Sequence, residues 1–474
     1  MTFDEQKTFL DVPTVNILTM FRLGLFQMGL SMMSILTLGV LNRVMIKEIA
    51  IPATIGSLIL AIPYFIAPTR ILFGQFSDGK PLLGYHRTFY IWFGAAIFAI
   101  AAYLMIQVMW QLNNVATINN TWVWNLGSIG WLAVLSLVFG IYGLAICASG
   151  TAFAALLVDI SEEDNRSQVV GIVWSMLMVG IIVGAIISSS LLEQLDGNTT
   201  LETLQTAINR LFLVVPSIVF CLSLIATVGV EKKYSRFFIR ANSQNRDDNI
   251  SLETAWKILT ASPQTGLFFM FLLVMTISLF MQDPILEPYA GQVFNMPFSE
   301  STKLNVFYGT GILIAYSITG FFIVPRLGKR RTIKLGCLLV AFSALLLGFS
   351  GFSANGNYLK FGLVIFGLST GFVTTGAVSL MLDLTIAEAA GTFIGAWGLA
   401  QSISRGIATI IGGSVLDLGK QIFVGNLSLA YGAVFALEAA GMIISIWFLN
   451  QVNVAEFKTS GKQALSKVLE SDLD

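Results

Sequence analysis

The sequence is poor in charged residues, histidine and cysteine. Only 11% of its 474 residues are charged, less than half of the roughly 25% found in soluble domains, which excludes an ordinary soluble protein. The single histidine, His86, excludes a histidine-ligated pigment array. Three cysteines lie in apolar runs without the spacing of a disulfide or zinc site. Lysine plus arginine and aspartate plus glutamate number 27 each, so no basic excess predicts a nucleic-acid partner.

Apolar residues make up 55% of the chain, which predicts an integral membrane protein embedded in a lipid bilayer. Twelve spans of about 20 residues would use roughly 240 positions, which the length allows. The apolar runs predict an all-α membrane protein with twelve transmembrane helices at about 15–41, 52–76, 88–112, 127–158, 168–192, 208–230, 265–290, 304–326, 332–353, 359–382, 390–416 and 428–450.

A polar, basic connection separates two groups of six spans. Residues 231–262 and the turn from Arg326 to Lys334 carry most of the loop Lys and Arg, which predicts that both are cytoplasmic. An even number of spans then places both termini on the cytoplasmic side. The predicted organisation is a cytoplasmic N-terminus (1–14), a six-helix bundle (15–230), a cytoplasmic linker (231–262), a second six-helix bundle (263–451) and a cytoplasmic tail (452–474).

The two halves resemble each other in two places. Residues Leu156–Trp174 match Leu380–Trp397, with Asp159 and Asp383 as counterparts and a glycine twelve residues after each. Gly84–Thr88 likewise matches Gly328–Thr332, each in the turn between the second and third spans of its half. Two parallel six-span repeats are typical of the major facilitator superfamily, in which two six-helix bundles flank a central path.

The turn after the second span reads RILFGQFSDGKPLLGYHRT and resembles the gating loop of that superfamily. Its glycines allow close helix approach, and its aspartate could cap a helix or pair with a basic residue across the interface between the bundles. An ordinary charged loop is the alternative. The candidate gating residues are Arg70, Gly74, Asp78, Gly84, Arg87, Asp159, Asp383 and Arg405.

Several ionisable residues fall inside predicted spans, where unpaired charge is costly. Arg405 and Glu438 lie near the middle of spans eleven and twelve and could pair with each other or with another buried group. Structural ion pairing is the favoured interpretation. A ligand-binding or proton-relay role is the alternative.

The seventh span ends in FMQDPILEPYAGQVF, which places Asp283 and Glu287 four residues apart, as it does Pro284 and Pro288. The prolines threaten the helical hydrogen bonds, so an acidic, broken helix end is predicted. At 1.5 Å per residue, Asp283 lies roughly 25 Å along the helix from Gly266, near the outer membrane surface. In the simplest alternative the prolines only end the helix there.

Three segments together resemble PucC-type proteins, the bacteriochlorophyll-delivery branch of the major facilitator superfamily. They are QDPILEPYAGQVF, DLTIAEAAGTFIGAWGLAQ and FGQFSDGKPLLGYHRT. The resemblance implies a phototroph, and a role in assembling light-harvesting or photosystem complexes by binding chlorophyll or a related Mg-tetrapyrrole. Six residues are candidate pigment contacts. Gln27, Asp283 and Glu287 are predicted to line a cleft between the two bundles. The resemblance also implies a role for the residues that match the family segments, which are Gln282, Asp283, Glu287, Tyr289 and Gln401.

These observations favour a non-enzymatic pigment carrier or assembly chaperone in the thylakoid or inner membrane of a phototroph, serving light-harvesting or photosystem apoproteins. No nucleophile–base pair, metal cluster or nucleotide loop predicts catalysis. The alternative is a proton-coupled secondary transporter of a small amphipathic solute, with Asp159, Asp383 or Glu438 as the proton carrier. A purely scaffolding membrane protein is a third hypothesis.

Overall fold

A computed structural model describes residues 13–118, 121–161, 165–195, 200–235, 263–353, 355–383 and 390–453. Within these ranges the protein is almost entirely helical, apart from one antiparallel pair of two-residue strands. Nine of the described helices are long and apolar enough to cross a membrane. This is an integral membrane protein. The count of twelve spans stays a prediction.

The first compact unit comprises Met1–Ala50, Ile66–Asp247 and Pro297–Val306. Its first helix continues as π-helical turns at Ile35–Leu41 and Val44–Glu48, and a 3-10 turn lies at Ala67–Thr69. Its helices and strands are α1 (Ile17–Ser34), α3 (Arg70–Gly79), α4 (Thr88–Ala116), β1 (Thr117–Ile118), β2 (Thr121–Trp122), α5 (Leu126–Ile160), α6 (Arg166–Leu192), α7 (Leu201–Thr227) and α8 (Val230–Tyr234).

The second compact unit comprises Ile51–Phe65, Asp248–Met296 and Phe307–Asp474. The helix α11 (Phe298–Ile318) begins in the first unit and continues into the second, where π-helical turns follow it at Thr319–Ile323. The helices are α2 (Ala53–Phe65), α9 (Pro263–Phe280), α10 (Leu286–Val293), α11 (Phe298–Ile318), α12 (Val324–Leu327), α13 (Lys329–Ser353), α14 (Gly356–Asp383), α15 (Ala390–Ile422) and α16 (Leu427–Gln451).

Each unit includes a short segment from the other half of the chain, and the division into two six-helix bundles stays a prediction. Residues 51–65, from the first half of the chain, pack in the second unit, and residues 297–306, from the second half, pack in the first. In the second unit α2 runs against α15, where a Cβ on Gly413 would come within 2.5 Å of the Ala53 carbonyl oxygen. Only a residue without a side chain allows the two backbones to approach this closely.

Apolar packing holds each unit together. In the first unit α1 packs on α6 and α7, and the rings of Phe26 and Phe153 lie 4.3 Å apart in a cluster that includes Leu23, Leu156 and Val173. Lipid-facing positions are also apolar, which is expected where the surrounding solvent is hydrocarbon. Polar groups inside a unit therefore require a specific explanation.

The expected internal repeat has a local structural counterpart. Gly84 and Gly328, paired by the sequence comparison, both adopt left-handed backbone conformations, with φ of 78° and 77°. Each precedes the helix that begins the third span of its half, α4 or α13. Thr88 and Thr332 are fully buried at the two helix starts. The matching sequences thus place a glycine with positive φ before the corresponding helix in each unit.

Parts of three predicted segments fall outside the described residues, namely the N-terminus (1–14), the linker (231–262) and the tail (452–474). The predicted cytoplasmic side of these segments stays a prediction. Asp383 ends α14, but its side chain is likewise outside the described part of the chain.

Candidate functional site

The break between α9 and α10 is built by proline. At Pro284 the missing N–H cannot continue the helical ladder to Phe280. The Asp283 N–H instead donates to the Phe280 carbonyl at 3.2 Å, and the Ile285 N–H donates to the Gln282 carbonyl at 3.0 Å. Residues 281–285 therefore form turns, and α10 begins anew at Leu286. This segment, Met281–Ile285, is called the α9–α10 break below.

The two acidic residues take different positions around the α9–α10 break. Asp283 lies half-buried in the turn itself, whereas Glu287 is buried in the first turn of α10, where a carboxylate favours the positive end of the helix. They are not consecutive turns of one continuous helix, because the break separates them. The sequence prediction of an acidic, broken helix end is confirmed.

Gln282 directs an unused acceptor into the interior. Its Nε2 donates to Asp283 Oδ1 at 2.8 Å, and the side chain is only 1% exposed. Its Oε1 has no hydrogen-bond partner among the described residues. Because a buried acceptor without a donor costs about 1–3 kcal/mol, this oxygen is a candidate ligand.

Helix α15 lies directly against the break. A Cβ on Gly412 would be 2.3 Å from the Met281 carbonyl oxygen and 3.1 Å from Pro284. One and a half to two turns earlier, the guanidinium of Arg405 stacks 3.9 Å from the centre of the Phe280 ring. Arg405 also interacts electrostatically with Asp283. The positive charge is thus placed beside the turn, over an aromatic face.

Helix α16 covers another side of this region. Tyr289 packs against Tyr431 and Phe435, with ring centres 5.0 and 5.3 Å apart. The Tyr289 hydroxyl donates to the Leu347 carbonyl at 2.9 Å, and the Tyr431 hydroxyl donates to Gln292 Oε1 at 2.8 Å. Tyr289 is fully buried, so in this conformation it serves packing.

Glu438 follows Phe435 by one helical turn on α16. It is 0% exposed, and neither carboxyl oxygen has a hydrogen-bond partner in the described structure. A turn further on, a Cβ on Gly441 would collide with the Ser278 hydroxyl of α9, so the two helices are in close contact at this level. The expected pair between Arg405 and Glu438 is not formed in the described part of the chain.

Several buried polar atoms without hydrogen-bond partners lie on α9, the α9–α10 break, α15 and α16. Besides Gln282 and Glu438, buried polar atoms on Thr276, Ser404 and Arg405 lack hydrogen bonds in the described residues. They belong to α9, its break, α15 and α16. Few buried polar groups in folded proteins are unpaired, so these atoms mark a candidate binding site.

A second polar cluster lies in the first unit and is fully paired. Arg87 forms ion pairs with Asp78 at 2.5 Å and with Asp159 at 2.8 Å, and it donates to the Ser77 hydroxyl at 2.5 Å. Arg87 is 3% exposed, and Asp159 6%. The described partner of Asp78 thus lies at the end of its own loop, in the same unit, and not across an interface between bundles. Asp159 is thus a member of a buried ion pair, and its predicted gating role stays a prediction.

Glu231, on α8, joins this cluster by capping α4. Its carboxylate accepts from the backbone N–H groups of His86 at 2.6 Å and Thr88 at 2.7 Å, and from the Thr88 hydroxyl at 2.5 Å. A carboxylate at a helix N-terminus satisfies free N–H groups and opposes the helix dipole. These residues, Ser77, Asp78, Arg87, Asp159 and Glu231, are called the Arg87 cluster.

The remaining predicted site residues are less constrained. Gln27 is half-buried on α1 in the first unit, and Gln401 is half-buried on α15, one turn before Arg405. Arg70 begins α3 and is exposed. A Cβ on Gly74 would lie at an ordinary van der Waals distance from Thr151, so close packing does not require a glycine there. Gly84 supplies the left-handed turn described above.

The sequence reasoning missed two charged contacts. Asp417 of α15 accepts from the Ala53 and Thr54 N–H groups at 3.0 and 2.8 Å, which caps α2 within the second unit. It also missed the capping role of Glu231, which had been assigned to the linker. Both act on helix starts distant in sequence, so no local pattern reveals them.

Arg43 is a third residue that sequence reasoning passed over. It is 1% exposed, lies in the first unit and donates to the Pro297 carbonyl at 3.1 Å and to the Ser301 hydroxyl. Its guanidinium stacks 4.0 Å from the centre of the Phe298 ring. This buried cation holds the start of α11 in the first unit.

The solved structures that align with this chain include membrane transporters. The nucleoside transporter NupG, as a mutant, aligns with a TM-score of 0.66 at 13% identity over 92% of this chain and 99% of its own. The xylose transporter XylE from E. coli aligns with a TM-score of 0.59 at 12% identity over 90% of this chain and 96% of its own. The protein therefore has the fold of the major facilitator superfamily.

Sequence comparison defines the family more narrowly. Residues 40–457 match the family model described as "PUCC protein", and the chain belongs to this family. It is 29% identical to the "Bacteriochlorophyll synthase 44.5 kDa chain" of Rhodobacter capsulatus, over 91% of this chain and 94% of that protein. It is 27% identical to "Protein PucC" of Rhodovulum sulfidophilum, over 80% of each chain. The resemblance inferred from the three sequence segments is confirmed.

Proposed function

We propose that this protein carries chlorophyll or bacteriochlorophyll-type pigments, or chaperones their delivery, during assembly of light-harvesting or photosystem complexes. The observation that carries the proposal is the family match over residues 40–457. One relative's name refers to bacteriochlorophyll, and relatives named PucC come from Rhodovulum, Rhodobacter and Cereibacter. The host membrane would be the thylakoid or inner membrane of a phototroph.

The fold supports a carrier role. The structures that align with it include nucleoside and xylose transporters, so the same helical architecture accommodates small molecules in other proteins. Although one relative is named a synthase chain, the proposal assigns no catalysis to this chain. Its described residues contain no group of three His, Cys, Asp or Glu side chains placed to hold a metal ion.

The chemistry of the α9–α10 break fits a magnesium tetrapyrrole as cargo. Magnesium prefers oxygen ligands such as carboxylate, amide and backbone carbonyl. Gln282 Oε1 is a buried oxygen without a donor, and the half-buried Asp283 carboxyl lies beside it. Gln282 and Asp283 are therefore the proposed polar contacts. The pigment and the recipient apoprotein are defined only by class.

The test is affinity purification of the full-length protein from its phototrophic host, followed by absorption spectroscopy. The wild type should co-purify with a chlorophyll-type absorption band and with antenna or photosystem apoproteins. Gln282→Leu and Asp283→Asn should lower the pigment-to-protein ratio several-fold. Glu193→Gln is the matched control, because that exposed carboxylate forms only a surface ion pair with Lys303.

Two results would overturn parts of this proposal. Pigment-free wild-type protein, with normal antenna and photosystem levels in a deletion strain, would refute the carrier function. Unchanged pigment content in both variants would refute the site while leaving the function standing. Solute uptake by proteoliposomes driven by an imposed proton gradient, without bound pigment, would favour the transporter alternative.

A further inference from the structure

Glu438 is a buried acid for which the pigment proposal has no use. It is 0% exposed on α16, and neither of its carboxyl oxygens meets a hydrogen-bond donor in the described structure. An ionised carboxylate in such surroundings would incur a cost of several kcal/mol without compensation. A neutral carboxylic acid avoids most of this cost.

We propose that Glu438 is a proton-binding site, neutral in this conformation and ionised when the α9–α10 break opens to water. The ligand is the proton, and the site is the buried carboxyl group on α16, a helix that packs on α9 and α15. This inference goes beyond the pigment proposal and does not depend on it.

The position of Glu438 ties its proton to the break. Phe435, one turn before it, packs on Tyr289 of α10, and Gly441, one turn after it, lies against Ser278 of α9. Glu438 is therefore at the level where α9 ends and α10 begins. Any movement that separates α10 from α9 changes the surroundings of this carboxyl group. A discontinuous transmembrane helix is a recurring place for a coupling-ion site.

The elements that pack against α16 carry other charged side chains. Asp283, another carboxylate, lies in the α9–α10 break. On α15, Arg405 is stacked on the Phe280 ring.

The other titratable groups are engaged elsewhere or lie further along the helices. They are Glu287 and Tyr289 of α10, Cys337 of α13, Asp417 and Lys420 of α15, and Tyr431 of α16 itself. The Cys337 sulfur accepts from the Ser445 hydroxyl. Within the described residues no cation forms an ion pair with Glu438.

The sign of the pH dependence follows from linkage. The folded protein holds a proton on Glu438 that the unfolded chain releases at neutral pH, so stability falls as pH rises above the acidic range. The full-length protein, purified in detergent micelles, should show a midpoint of thermal unfolding that decreases from pH 5.5 to pH 8 (about the range in which unfolded glutamate is ionised). In Glu438→Gln this decrease should be reduced or lost, whereas Glu193→Gln should retain it.

Infrared spectroscopy supplies a second readout that needs no variant to fold. Wild-type protein with 13C-labelled glutamate should show a carboxylic-acid carbonyl band that shifts with the label and persists at neutral pH. Absence of the band, or equal pH slopes in wild type and Glu438→Gln, would overturn the proposal. Both measurements require no pigment, so they are independent of pigment co-purification, which tests the carrier function.

Discussion

The Arg87 cluster and the α9–α10 break are both buried and polar, yet they differ in how completely their groups are paired. Arg87 pairs with two carboxylates and a hydroxyl, and Glu231 accepts from four donors. At the break, Gln282 and Glu438 present oxygens that no described group satisfies. The first arrangement holds helices together, because each charge is compensated. The unpaired oxygens of the second arrangement are available to bind a ligand.

The largest effect that separates the two regions is expected from Arg87→Met. Asp159 would lose its cation while its side chain stays 8% exposed. Stranding one member of a buried pair costs about 3–5 kcal/mol. The free energy of unfolding in mixed detergent micelles measures the loss. Arg70→Met is the control, because Arg70 is exposed and its replacement should change stability by less than about 0.5 kcal/mol. Equal stabilities would contradict the structural role.

Gly412→Ala tests how closely α15 packs on the break. The added methyl group would meet the Met281 carbonyl oxygen at 2.3 Å, which requires the backbone to move and costs about 1–3 kcal/mol. Gly398→Ala, on the same helix, meets no described atom within 4 Å and should gain up to about 1 kcal/mol. Thermal unfolding of both variants checks the opposite signs. An unchanged unfolding temperature in Gly412→Ala would mean that α15 can move away from the break at little energetic cost.

Glu231→Gln removes the charge of the α4 cap but keeps one acceptor oxygen. The N–H groups of His86 and Thr88 would compete for it, so we expect a loss of about 1–2 kcal/mol. Glu202→Gln, in the exposed first turn of α7, should lose no more than about 0.5 kcal/mol. Detergent unfolding of the pair measures the difference. If the two losses match, Glu231 is not acting as a cap.

Glu438→Met should raise the stability of the protein, whereas the main variants above lower it, and its effect should be the smallest. Replacing an unpaired buried carboxyl by an apolar side chain of similar size is expected to gain about 1 kcal/mol at neutral pH. Glu231→Met, at another buried glutamate, should destabilise. Parallel unfolding curves at pH 7 give the comparison. A marked loss of stability in Glu438→Met would show that its carboxyl makes a stabilising contact.

The sequence predicted much of the fold because membrane helices are encoded locally. Apolar runs locate the helices, and the matched Gly84 and Gly328 turns reveal the repeat. Pro284 and Pro288 predicted the break for the same reason, since proline acts on its own turn of helix. What binds at that break is not encoded locally, and the site assignments there stay predictions.

Partner choice was harder to predict than element position. The sequence offered Glu438 as a partner for Arg405, whereas Arg405 stacks on Phe280. Asp78 was open to pairing across an interface, yet its described partner is Arg87, nine residues away in the same unit. Such choices depend on which helix faces line up, and no spacing along one helix contains that information.

The cap on α2 also has a consequence for how the protein is made. The Ala53 N–H donates to Asp417, 364 residues later in the chain. At roughly 5–20 residues per second of synthesis, the start of α2 must wait on the order of 20–70 s for its acceptor to leave the ribosome. During that interval a newly inserted hairpin has an uncapped helix end in the bilayer. Biogenesis of this protein should therefore depend on how quickly the chain between these two residues is synthesised, and a slow stretch of codons within it should reduce the yield of folded protein.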